Sequence, residues 1–373
     1  MPYLYGSDAL RDARWIAFLN SNQLEHRDRC RLLKGGLTPD VLLAAASKVP
    51  ADVCSAAIDR LRLQLAAPAA VEPHRFDWGV PVYLLHRGED DYPKILDMCL
   101  DAPPVLFVAV DISLVNKASI SIVGTRSPSA QGLRLATEMA AAFVRAGMTV
   151  VSGLALGIDA QAHRAALDAD GVTVAVMATG VDRVYPGRHG ALAQEIAHRG
   201  AVISEFVPGV APRRWHFPRR NRTLSGLAVA TVVVEAGRPS GSLITANAAV
   251  EQGREVFACP WSVGHISGRG CLYLLANGAQ LACSPQDVMD GLTMELRGFN
   301  GYAAEALDLG SNKPAPKGVS QQRFPQDDLQ HADPIADRGL DGAISTTLLR
   351  LLGDEVVAVD ELMRLSNLSP EQL

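Results

Sequence analysis

The sequence lacks the features that mark several common protein classes. No apolar run reaches the roughly 18 residues that a membrane-crossing helix needs. The opening MPYLYGSDALRDARW lacks the basic-then-apolar order of a secretory signal. A cytoplasmic protein with no membrane partner is the expectation. Six cysteines are present, Cys30, Cys54, Cys99, Cys259, Cys271 and Cys283, but none forms a CxxC. They read as buried free thiols in apolar surroundings, so no metal and no cofactor is expected. Lysine is scarce too, supplying only six of the 35 Lys and Arg residues. The net charge of −5 does not advertise a nucleic-acid binder. Binding depends on local charge density, however, and arginine is the planar, bidentate donor suited to phosphate and to stacking on bases.

The 373 residues exceed one ordinary domain and suit a large α/β core with smaller attachments. Residues 1–66 read as a helical domain of sterile-alpha-motif or helix-hairpin-helix type, or as a packing cap on the main domain. Leu10, Ile16, Phe18 and Leu19 begin an apolar stripe, Gly35-Gly36 breaks it, and Thr38-Pro39-Asp40 has the cap and first-turn proline of a new helix. Residues 67–300 form the expected core. Within it, apolar β-branched runs recur at 119–123, 148–151, 172–178, 201–204, 230–234 and 255–258. Amphipathic stretches separate most of them; 130–146 carries Leu133, Ala136, Ala140, Phe143 and Val144 on one face. Strands without polar alternation, separated by helices, predict a mostly parallel sheet covered on both sides. The fold class is an extended Rossmann-like, doubly wound α/β core. Residues 301–340, polar and punctuated by proline, read as a linker. Residues 341–373 read as a partial, truncated winged-helix-like segment.

Ligands of open parallel sheets bind at the carboxyl ends of the strands, so the residues after each apolar run carry the chemistry. Gly124-Thr125-Arg126 follows the first run and opens a helix. A dinucleotide fingerprint needs GxGxxG, but 124, 126 and 129 are Gly, Arg and Ser. This argues against NAD and for an external phosphate held by Arg126. Ser152-Gly153 leads to Asp159 and His163, which read either as a catalytic pair or as a helix cap with a locally tied histidine; no serine or cysteine beside them is placed as a nucleophile. Residues 212–222, PRRWHFPRRNR, hold five arginines and two aromatics in eleven positions, with no acid. Charge for a backbone interleaved with flat faces for unstacked bases is what single-stranded nucleic acid requires. Ser240-Gly241-Ser242 opens another helix and suits either a phosphate or simple capping.

These stretches resemble the DNA processing protein A (DprA/Smf) family. The matching residues are IVGTR (122–126), SGLALGIDAQAH (152–163), GVDRVYP (180–186), ISE (203–205), FPRRNRTLSGLA (217–228), VVEA (233–236), SGSLITANAA (240–249) and GREVFACP (253–260), in family order over about 160 residues. Trp261 and Leu272 stand where the family usually has Gly and Asn. The resemblance implies sequence-nonspecific binding and protection of incoming single-stranded DNA, RecA recombinase loading in natural transformation, and a homodimer through the Rossmann core. It implies a DNA-binding set of Arg126, Ser152, Gly153, Arg214, Phe217, Arg220, Asn221, Arg222, Ser240, Gly241 and Ser242, with no catalytic residues. The rival reading is a nucleotide-binding enzyme of the lysine-decarboxylase-like phosphoribohydrolase type. Its PGGxGTxxE signature is missing, although Glu205 or Glu235 would be available as an acid.

Overall fold

The computed structural model describes residues 4–5, 8–24, 26–44, 49–50, 53–68, 78–110 and 118–292. The linker and the winged-helix-like segment expected after residue 300 lie outside the described residues.

Four helices follow a two-residue strand near the N-terminus: α1 (Ala9–Asn20), α2 (His26–Lys34), α3 (Pro39–Ala44) and α4 (Ser55–Ala66). Asp8 caps α1 by accepting from the N–H groups of Leu10 and Arg11. Phe18, Leu32, Leu42, Leu61 and Leu65 close into a core of their own. The apolar stripe of α1 differs from the expected one, because Leu10 is exposed while Trp15 and Phe18 point inward. Trp15 and Ile16 pack against the sheet instead. A buried contact between Asp12 and His86 (2.8 Å) joins α1 to that sheet.

The sheet strands are β1 (Leu4–Tyr5), β2 (Val82–His86), β3 (Val105–Val110), β4 (Ser119–Val123), β5 (Thr149–Ser152), β6 (Thr173–Met177), β7 (Ala201–Ser204), β8 (Ala230–Val233), β9 (Glu255–Ala258) and β10 (Gln280–Leu281). They form one ten-stranded sheet in the order β1-β2-β3-β7-β6-β5-β4-β8-β9-β10. Only β3 runs antiparallel to its neighbours, β2 and β7. The doubly wound, mostly parallel expectation therefore holds. The covering helices are α5 (Lys94–Asp97), α6 (Ala130–Arg145), α7 (Ile158–Asp168), α8 (Gly190–Arg199), α9 (His216–Gly226), α10 (Gly241–Glu251), α11 (Arg269–Ala276) and α12 (Pro285–Gly291). On α6 the buried face runs through Ala136, Met139, Ala140 and Phe143. Leu133 and Val144 are only half-buried.

From β4 the chain winds outward through β5, β6 and β7, then returns to β8 on the other side of β4. The switch point thus lies between β4 and β8, where the two following loops part. No helix among the described residues is long and apolar enough to cross a membrane. Cys99, Cys259 and Cys271 are buried as expected, but Cys54 and Cys283 are exposed.

Candidate nucleic-acid interface

A cleft opens over the carboxyl ends of β4, β5 and β6. Its walls include Arg126 after β4, Gly153, Ala155 and Leu156 after β5, Tyr185 and Pro186 after β6, and Phe217 and Arg220 from α9. The helix explains the pairing of the last two. Residues three apart share a helix face, so a cleft-facing Phe217 carries Arg220 beneath it.

Phe217 is half-buried and meets the edge of Tyr185 at a centroid distance of 5.9 Å. The exposed Arg126 lays its guanidinium over the Phe217 ring at 5.6 Å. That cover leaves a cleft of only about 40 Å3. Arg213 and Arg214 are exposed on the approach to α9 and form no ion pair among the described residues. Trp215, beside them, is 50% exposed and rests edge-on against Phe206 and His216. Burial pushes the His216 imidazole down to about 4, although its Nδ1 contact with the Ala178 carbonyl (3.0 Å) pulls the other way.

Arg220 is buried. Its guanidinium donates to the carbonyls of Gly153 and Val176, and its Nε donates to Asn221 Oδ1 at 3.1 Å. Burial lowers it to about 10 while the nearby Asp159 carboxylate pulls upward. A Cβ on Gly153 would lie 2.2 Å from the Arg220 guanidinium, so the position needs glycine for this close approach. Asp159 accepts from the Gly153 and Ala155 N–H groups at 3.1 and 3.4 Å. His163 instead bonds Thr173 Oγ1 at 2.6 Å. Burial pushes its imidazole down to about 3. Neither expected reading describes these contacts: Gly157, not Asp159, is the N-cap of α7, Asp159 instead ties down the loop before the helix, and His163 is held by β6 rather than by Asp159.

The expected DNA-binding residues do not form one surface. Arg126, Gly153, Phe217 and Arg220 line the cleft, and Arg214 stands three positions before Phe217. Ser152 is fully buried and donates to the Ile122 carbonyl at 2.6 Å, so its hydroxyl is turned under the strand rather than into a groove. Asn221 donates from Nδ2 to the Gly241 carbonyl at 3.3 Å, bridging α9 to the start of α10. Arg222 faces away: its guanidinium is held by Asp101 and by Glu251, the latter at 2.6 Å. Burial opposes charging there, but the bonds from those carboxylates raise Arg222 above its ordinary value. Ser240 lines a different hollow, together with Thr125, Arg238, His265 and Ser267. Ser240 Oγ also caps α10 by accepting from the Ser242 N–H, and Ser242 is buried. Gly241 is exposed at the same helix start. Tyr185, absent from the expected set, lines the cleft and was legible as the tyrosine of the GVDRVYP run after the third strand.

Both candidate acids are committed elsewhere. Glu205 is buried against Arg219 at 2.5 Å. Glu235 is buried at the floor of the switch point. It accepts from Ser129 N and Oγ (both 3.0 Å), from Ser267 Oγ (2.5 Å) and from His265 Nε2 (3.1 Å). Burial alone would raise its pKa, but these donors hold it below the usual carboxylate range. Ser267 and Glu235 both approach the same nitrogen of His265, so the trio cannot relay a proton as a nucleophilic triad does.

Residues 83–293 match the sequence profile of the family described as DNA recombination-mediator protein A. Protein Smf of Escherichia coli strain K12 is 35% identical over 294 residues, covering 79% of this chain and 73% of that one. The X-ray structure of DNA processing protein A from Streptococcus pneumoniae superposes with a TM-score of 0.63 at 31% identity, covering 76% of this chain and 98% of that chain. A Helicobacter pylori DNA processing protein A, whose structure is described as giving insight into a unique single-stranded DNA binding mode, has a TM-score of 0.53 at 26% identity, covering 60% of this chain and 100% of that one. The chain belongs to the DNA recombination-mediator protein A family.

Proposed function

We propose that this protein binds single-stranded DNA in the Phe217 cleft without strong sequence preference, protects it, and delivers it to RecA recombinase during natural transformation, as a homodimer and without a catalytic step. The observation that carries the reading is the Phe217 ring, edged by Tyr185 and covered by the Arg126 guanidinium, beside two exposed arginines and with no acid among the described residues that line the cleft. A phosphodiester backbone meets Arg126 and Arg214; an unstacked base takes the Phe217 face once the Arg126 guanidinium swings aside. Every base has a π-face, so stacking brings little sequence preference. The single-stranded DNA binding described for the Helicobacter pylori relative supports single-stranded DNA as the ligand. The RecA role rests on the family resemblance. The homodimer, like the RecA role, rests on the family resemblance. An acid–base enzyme is disfavoured because Glu205 and Glu235 are both paired and buried.

Fluorescence anisotropy with a labelled oligonucleotide and its duplex tests the binding. The expected result is preference for the single strand, and a Phe217→Ala loss of about 1–3 kcal/mol. Equal affinity for both forms, or no effect of Phe217→Ala, overturns the reading. A RecA ATPase assay on the same strand, with and without the protein, tests delivery.

A further inference from the structure

The hollow at the switch point is not used by the Phe217 cleft, and it has the parts of a second site. The strand order reverses between β4 and β8, which is where open parallel sheets admit ligands. The hollow measures about 650 Å3, inside the roughly 300–1,000 Å3 range of small-molecule sites. Three kinds of group line it. Arg238 brings a cation whose guanidinium lies 3.9 Å over the Tyr273 ring, which fixes the charge in place. His265 brings a flat ring, stacked on Trp261 at 4.4 Å with an interplanar angle of 12°. Its orientation is set further by Nε2 contacts to Glu235 (3.1 Å) and Ser267 (2.9 Å). Thr125 and Ser240 bring hydroxyls. Glu235 lies beneath, fully buried with its oxygens engaged by Ser129, Ser267 and His265.

A fixed cation, a pre-set aromatic ring and hydroxyls around room for one nucleotide match one ligand chemistry. We infer that this hollow binds a nucleoside phosphate, with the base against His265 and the phosphate between Arg238 and Ser240, as a site separate from the Phe217 cleft. Trp261, which replaces the glycine usual in the family, supplies the backing for the ring. The ligand has two possible sources: a free nucleotide, or a further residue of a bound strand that has crossed the Gly124–Arg126 turn. The second source rests on the single-strand reading above; the first does not. Asn221 links the two places, accepting from Arg220 under the cleft and donating to the Gly241 carbonyl at the start of α10.

Calorimetric titration of the full chain with dAMP, beside anisotropy with a labelled oligonucleotide, tests the inference in wild type, Arg238→Gln, Arg238→Lys and Arg126→Ala. A thermal melt of each variant establishes that it folds. For a free nucleotide, dAMP binds wild type, weakens at least tenfold in Arg238→Gln, and recovers partly in Arg238→Lys. For a strand residue, dAMP does not bind, but Arg238→Gln weakens the oligonucleotide at least tenfold. Loss of dAMP binding in Arg126→Ala with no loss in Arg238→Gln places the nucleotide in the Phe217 cleft and overturns the inference. No response of either ligand to Arg238→Gln overturns it as well. Failure of the single-strand reading is read separately, from the response of the oligonucleotide to Phe217→Ala.

Discussion

The cleft over Phe217 and the crevice between β4 and β8 lie on either side of the Gly124–Arg126 turn, at the carboxyl ends of the same parallel sheet, yet they handle charge in opposite ways. In the cleft, Arg126 and Arg214 are exposed and form no ion pair among the described residues. In the crevice, the place where a mononucleotide-binding fold receives phosphate, the start of α6, already holds a carboxylate. Glu235 accepts from Ser129 there and sits so close that a Cβ on Gly132 would meet its Oε2 at 2.0 Å. One sheet edge therefore offers an open anion site at Arg126 and a self-filled one at the start of α6, which leaves the start of α10, beside Arg238, for the phosphate inferred above. Topology supplies the address; the side chains decide whether it is vacant.

The comparison is broken first at Arg220, which lies in the cleft but acts as its floor. Arg220→Ala removes the donor to two buried carbonyls and leaves the buried Asp159 without its cation. A loss of roughly 3 kcal/mol is expected in a denaturant titration. An unchanged midpoint shows that Arg220 is a ligand only. In the crevice, Glu235→Gln keeps the shape and drops the charge, with an expected loss of about 1.5–3 kcal/mol at neutral pH. Its folded pKa is depressed, so the stabilisation is full above its ordinary pKa and lost as pH falls through the folded value. Wild type and Glu235→Gln should converge in acid; a constant gap counts against an ionised Glu235.

The smallest expected effect at neutral pH belongs to His216, whose contribution changes only in acid. Its pKa falls from 6.5 to about 4 on folding, so it is held neutral. The stability it contributes is complete above pH 6.5 and is lost towards pH 4, at about 1.4 kcal/mol per pH unit. A His216→Gln variant should show a shallower fall over that window, read from denaturant midpoints. An identical slope would mean the imidazole is charged in the folded protein.

The parallel core was legible because buried strands read as unbroken apolar runs; 119–123, 201–204 and 255–258 coincide with β4, β7 and β9. The two-residue edge strands β1 and β10 are too short to leave a pattern. The site was only partly legible. Read as a linear cluster, 212–222 offers all its arginines to one surface, but α9 turns them apart. Two positions beyond Arg220, Arg222 sits on the far side of the helix, beside Asp101, which precedes it by 121 residues. Glu235 was visible as an acid after a strand, but its donor Ser129 lies 106 residues away and no local pattern reports that contact.

The salt dependence of single-strand affinity tests the central claim most directly, measured by anisotropy for wild type, Arg214→Ala and Arg222→Ala. Each lost phosphate contact should reduce the slope of log affinity against log salt by roughly 0.7. The account predicts that reduction for Arg214→Ala and none for Arg222→Ala, whose guanidinium is held by Asp101 and Glu251. A reduced slope in Arg222→Ala with an unchanged one in Arg214→Ala would place the strand on the other face of α9 and contradict it.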